Sequence, residues 1–87
     1  MALVFIPSML QQLAGGTVQV EIEGKTVRAI VRNLEEMFPE LRGHLLDNDD
    51  FRPDLVAAVD GEQALDLSDP VRDNSEVHFI PPIAGGL

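Results

Sequence analysis

Between Val27 and Phe38 the apolar residues Val27, Ile30, Val31, Leu34, Met37 and Phe38 recur at steps of three and four. On a helix of 3.6 residues per turn they form one stripe, with Arg28, Arg32, Glu35 and Glu36 on the other side. Thr26 is placed to cap the first turn, and Pro39 ends the helix or its last regular turn. This is the one long helix that the pattern supports. An amphipathic helix must bury its stripe against another layer, so the rest of the chain has to supply an apolar sheet face.

The flanking segments supply it. Leu3 to Ile6 is a run of β-formers stopped by Pro7, read as a first strand buried on both faces. Pro7 to Leu13 forms a short helical turn, and Gly15-Gly16 makes a hairpin bend. Thr17 to Ile22 alternates, with Val18, Val20 and Ile22 on one face, and pairs antiparallel with the first strand. After the turn Glu23-Gly24-Lys25 comes the helix, then Leu41, Leu45 and Leu46 covering one core edge from a short helical loop. Asp47 to Asp50 reads as an acidic loop. Leu55 to Val59 is a third strand, Asp60-Gly61 a tight turn, Gln63 to Leu65 a short edge strand, and Glu76 to Pro81 the last strand. In the last strand Val77 and Phe79 face one way, His78 and Ile80 the other. The expectation is an α+β domain over residues 1–81, a mixed sheet of four to five strands with one face under the helix and the other open. A flexible tail, 82–87, follows.

Fifteen acidic residues against six basic ones give a formal charge of −9. Such a surface repels nucleic-acid phosphates and anionic membranes; it either favours a basic protein partner or serves only to keep the chain in solution. With no cysteine, disulfides, thiolate metal sites and cysteine nucleophiles are excluded. The N-terminal apolar run has no basic flank and stops at Pro7, so it is not a signal peptide, and no stretch approaches a membrane span. The expected location is the cytoplasm. Asp47, Asp49 and Asp50 lack the glycine and closing glutamate of a calcium loop, and His44 and His78 have no metal-ligand spacing. No catalytic triad or phosphate loop is present.

The remaining feature is the end, Pro81-Pro82-Ile83-Ala84-Gly85-Gly86-Leu87. Glycine contributes nothing to packing and is costly to order. Two of them behind Pro81 and Pro82, which stiffen an extended exit, fit a backbone that threads a narrow space in another protein. Ile80, outward-facing beside this tail, is a candidate partner contact, and His78 shares its face.

These residues resemble a known family. The helix from Thr26 to Leu41, the turn Val59-Asp60-Gly61-Glu62 and the ending Glu76-Val77-His78-Phe79-Ile80-Pro81-Pro82-Ile83-Ala84-Gly85-Gly86 look like the ubiquitin-like sulfur carriers of the MoaD/ThiS type. These are the small subunit of molybdopterin synthase and the thiamine-biosynthesis carrier. The opening Ile6-Pro7-Ser8-Met9-Leu10 with Gly15-Gly16 looks more like the branch serving cysteine synthesis. The resemblance implies a β-grasp fold and a carrier that is not an enzyme. It implies that an E1-like enzyme adenylates the Gly86 carboxylate with ATP, with no cofactor bound by the carrier itself. The product is a thiocarboxylate that donates sulfur to the molybdopterin synthase large subunit, thiazole synthase or a cysteine-synthase-like enzyme. Leu87 departs from the pattern. It is either removed by a processing metalloprotease to expose Gly86 or is the remnant of an expression tag. The same tail would serve a ubiquitin-like modifier joined through Gly86 to lysines.

Overall fold

The first and last strands meet in the middle of the sheet. The computed structural model describes residues 1–81. In chain order its elements are β1 (Ala2–Phe5), β2 (Gln19–Ile22), α1 (Val27–Met37), β3 (Leu46–Asp47), β4 (Asp50–Phe51), β5 (Val56–Val59), β6 (Glu62–Gln63) and β7 (Glu76–Ile80). Five strands form one mixed sheet in the order β2-β1-β7-β5-β6, and β3 and β4 form a separate hairpin. β1 is antiparallel to β2 and parallel to β7, while β7 is antiparallel to β5. A parallel pair needs a crossover, and the segment that holds α1 provides it. This is the β-grasp arrangement of an α+β fold.

Strand alternation then assigns the faces. The register Val4↔Val20, Val4↔Val77 and Ala57↔Phe79 puts Ala2, Val4, Ile22, Ala57, Val77 and Phe79, all buried, on one side. Against them pack Val27, Ile30, Val31 and Leu34 of α1, each 0% exposed. Thr26 Oγ1 accepts a hydrogen bond from the Ala29 N–H at 3.1 Å. The free N–H groups of Val27 and Arg28 donate to the carbonyls of Asp69 and Leu67 at 3.1 and 2.9 Å. The helix start is therefore satisfied by its own cap and by the 67–69 loop. Pro39 opens a short 3₁₀ turn, Pro39–Leu41, that buries Leu41.

Gly24 lets the β2–α1 turn close onto this helix. A Cβ there would sit 2.9 Å from the Ile30 nitrogen and 3.1 Å from the Ala29 carbonyl carbon. Those are backbone atoms, so they cannot swing aside. Gly24→Ala is expected to cost about 1–3 kcal/mol of stability, read as a lower urea midpoint; at Gly43 a Cβ would meet no atom within 4 Å, and the strain of its φ of 83° is the cost that an alanine there would bring.

Four expectations need correction. β1 is buried on one face only: Leu3 and Phe5 are half-buried, because among the described residues no second layer covers the far side. Val18 is 56% exposed, and burial rises along β2 to Ile22 at 2%, since β2 is an outer strand with one neighbour. Met37 is 52% exposed; α1 ends there, and Phe38, after the chain turns, packs on the core in its place. The acidic loop is the tip of the β3–β4 hairpin. Asn48 and Asp49 take positive φ, 52° and 63°, as a two-residue hairpin turn requires, and Asp49 is ion-paired with Arg28 on α1.

Candidate functional site

The face turned away from α1 is made by the other half of the alternation. It carries Leu3 and Phe5 of β1, Gln19 and Glu21 of β2, Glu76, His78 and Ile80 of β7, and Val56 and Ala58 of β5. Phe5 and His78 are register partners, and their rings stack with centroids 4.1 Å apart and planes 7° apart. Ala58 lies on the other side of His78, and Val56 pairs with Ile80. The result is a strip from Leu3 through Phe5 and His78 to Ile80, with Ile80 49% exposed. Glu21 and Glu76 border it, Glu76 Oε1 lying 3.5 Å from His78 Nε2.

This strip leads to the exit of the chain. Pro81 has no N–H to donate, so strand pairing stops at Ile80. Pro81 itself is exposed. Pro82, Gly85, Gly86 and Leu87 lie outside the described residues. The structure brings His78 and Ile80 together on one face, and it adds Phe5, half-buried on the open side of β1. The signal for Phe5 is its phase: it alternates with Val4, so it falls on the His78 face once β1 is set parallel to β7.

The start of β7 is held by a clamp from the Asp60-Gly61 turn. Asp60 and Gly61 take φ values of 52° and 85° and join β5 to β6. Asp60 Oδ1 accepts from the Glu76 N–H at 2.9 Å and Oδ2 from the Ser75 hydroxyl at 2.8 Å. Ser75 Oγ in turn accepts from the Arg72 N–H at 3.0 Å, so this hydroxyl, on a residue only 3% exposed, is satisfied as donor and acceptor. The Glu76 N–H and then the Ser75 hydroxyl hold the Asp60 carboxyl below its usual pKa. A carboxylate lowered in the folded state stabilises the fold above its unfolded pKa, about 4, and loses that contribution as pH falls through the lowered value. Asn at this position keeps a positive φ and one acceptor oxygen but does not titrate. Between about pH 5 and 3, the wild type is therefore expected to lose stability more steeply than Asp60→Asn, as read by urea titrations at each pH.

Among the described residues no group of three or more His, Cys, Asp or Glu side chains is placed to hold a metal ion, and no helix is long and apolar enough to cross a membrane. What the site offers is a surface and a strand end.

Comparison with known proteins agrees with this architecture. The ThiS family matches residues 4–86. The solved structure of the Amycolatopsis orientalis BexX/CysO complex contains a chain that is 26% identical, with a TM-score of 0.89 over 99% of this chain and 100% of that one. Mycobacterium tuberculosis CysO, an antigen, superposes at 0.88 over 95% of this chain and 100% of that chain; at 22% identity this is a likeness of fold. SAMP1 from Haloferax volcanii is 25% identical, with a TM-score of 0.74 over 98% of each chain. Comparison with curated proteins gives no match.

Proposed function

The chain belongs to the ThiS family of ubiquitin-like sulfur carriers, and on that premise we propose that Gly86 is its working residue. Members of this superfamily are small carriers or modifiers and not enzymes, so the chemistry belongs to a partner. In the proposed cycle an E1-like enzyme binds ATP, and the Gly86 carboxylate attacks the α-phosphate, releasing pyrophosphate and leaving an acyl adenylate. A sulfur donor then displaces AMP, and the thiocarboxylate delivers sulfur to a molybdopterin-, thiamine- or cysteine-forming enzyme. Leu87 is either removed first by a processing metalloprotease, exposing Gly86, or is the remnant of a tag and takes no part in the cycle.

The observation that supports this reading is the family match over residues 4–86, which includes the Gly85-Gly86 ending. The placement of β7 supports it. β7 has neighbours on both sides and a clamped start, so the segment after Ile80 leaves from a fixed point, with 82–87 as the presented tail. Gly85 and Gly86 lack the Cβ atoms that would obstruct a tunnel, and Pro81 and Pro82 reduce the entropy lost on insertion. The strip of Phe5, His78 and Ile80 is the proposed docking surface for the adenylating enzyme and the sulfur acceptor. Its carboxylate border complements a basic partner rim.

The test is ATP–pyrophosphate exchange with the cognate adenylating enzyme. The chain ending at Gly86 is expected to support exchange and the chain ending at Leu87 is not; equal exchange by both overturns the role of Gly86. Likeness to SAMP1 of Haloferax volcanii, at 25% identity, favours a second reading, a modifier joined to lysines through Gly86. Isopeptide conjugates recovered from the native host would support that reading; a thiocarboxylate without conjugates supports the carrier.

A further inference from the structure

The sheet order β2-β1-β7-β5-β6 leaves two outer strands, and β2 has four residues against two in β6. The backbone groups that β2 leaves unpaired follow from its pairing with β1. The Ile6 N–H donates to the Val18 carbonyl at 2.8 Å, in phase with the pairs Val4↔Val20 and Ala2↔Ile22. In an antiparallel ladder, residues that exchange both bonds alternate with residues whose N–H and C=O point away. Val18, Val20 and Ile22 therefore direct their backbone groups to β1, and Gln19 and Glu21 direct theirs outward. β1 bears out the phase, since the Leu3 N–H points the opposite way, to the Ser75 carbonyl at 2.8 Å. Among the described residues no strand pairs with β2 on its outer side.

An unpaired edge is a template for another strand, and folded proteins commonly block it with a proline, a lysine, a bulge or a covering element. Gln19-Val20-Glu21-Ile22 has no proline or lysine and pairs with β1 residue for residue. Its side chains are sorted by face. Gln19 and Glu21 lie on the open face, while Val18, 56% exposed, and the partly buried Val20 lie on the α1 side. The flank of α1 nearest this edge is marked by Asn33, whose amide donates to the Glu23 carbonyl at 2.6 Å. One turn on along that flank is Met37, 52% exposed. The only charged side chains between Met1 and Gly24 are two carboxylates, Glu21 and Glu23. A second copy docked edge to edge would set these carboxylates against their own kind, on two chains of charge −9 each.

We propose that the outer edge of β2 accepts an extended basic segment of another protein as an added antiparallel strand. The guest residue opposite Glu21 exchanges both backbone hydrogen bonds with it and projects from the same face. An arginine or lysine there meets the Glu21 carboxylate. The guest residues in between project to the α1 side, where aliphatic side chains cover Val18 and Val20. The guest is thus a strand that alternates basic and aliphatic residues. This edge is separate from the strip of Phe5, His78 and Ile80, and its occupation does not involve Gly86.

The probe is a synthetic peptide of about seven residues alternating arginine and valine, titrated into the full chain and followed by NMR. Amide hydrogen exchange at Gln19 and Glu21 is expected to slow by roughly tenfold or more on saturation. Two N-methylated versions of the peptide test the strand geometry without altering the protein. Methylation of the arginine nitrogens, which face β2, is expected to weaken binding by roughly tenfold or more, whereas methylation of the valine nitrogens leaves it like the parent. Glu21→Arg is expected to weaken the parent peptide by roughly tenfold. Equal affinity of the two methylated peptides overturns the proposal, as does unchanged exchange at Gln19 and Glu21 at millimolar peptide. An alternating glutamate–valine peptide that binds as well as the basic one also overturns it. So does self-association of the chain alone with protection of the same two amides, because a second copy then holds the edge. Loss of pyrophosphate exchange would count against the proposed function and leave these readouts untouched.

Discussion

Leu34→Ala is expected to lower the unfolding free energy by about 2–5 kcal/mol. Leu34 is fully buried in the middle of the α1 stripe, where the helix meets the strands that carry the site. Truncation removes contacts that the close-packed core cannot restore by relaxing. For a domain of this size, total stability is about 5–10 kcal/mol, so much of it would be lost, with a fall in Tm of roughly 10 °C or more. Met37→Ala is the internal comparison. Although Met37 shares the sequence stripe, it is 52% exposed, and its truncation is expected to change stability by no more than about 0.5 kcal/mol. Equal losses at the two positions in chemical denaturation would contradict the packing described for α1.

Ile80→Glu is expected to leave folding intact and to weaken docking to the adenylating enzyme by tenfold to a hundredfold, about 1.5–3 kcal/mol. Ile80 is half exposed and faces away from the core, so the folded chain tolerates a carboxylate there. A partner that covers the strip would have to bury that charge beside Phe5, His78 and Val56 without a counter-ion, at a substantial desolvation cost. Calorimetric titration of the enzyme with wild type and variant reads the difference, and circular dichroism checks the fold. Undiminished affinity would remove the open face as the docking surface and leave the tail to carry recognition alone.

The parts of this molecule that were legible in the sequence are those governed by a single period. Val77 and Phe79 against His78 and Ile80, and Val27 to Leu34 at helical steps, separate in a linear reading because burial follows spacing within one element. Thr26 was legible for the same reason, since a cap acts over three residues. What was not legible depends on partners distant in sequence. The stacking of Phe5 on His78 exists only because β1 and β7 are parallel neighbours, and the Asp60 clamp joins residues fifteen and sixteen positions apart. β3 and β4, two residues each, are too short to show alternation, so Asn48-Asp49 was the sole sign of a hairpin and its acidity masked it. Met37 fits the stripe but lies where the helix ends, and periodicity carries no information about the extent of the layer beneath. The proposed working tail is the reverse case: two glycines behind two prolines are plain in the sequence, and the described structure contributes only the strand end at Ile80 that precedes them.

The central claim is that Gly86 carries the transferable sulfur, and intact mass spectrometry reads it directly. Chains ending at Gly86 and at Leu87 are incubated with the cognate adenylating enzyme, ATP and a sulfur donor. The chain ending at Gly86 is expected to exchange one oxygen for sulfur, with the change mapping to its terminal residue, and the chain ending at Leu87 to keep its mass. Exchange on Leu87, or adenylation of the Gly86 chain with no gain of sulfur, would contradict it.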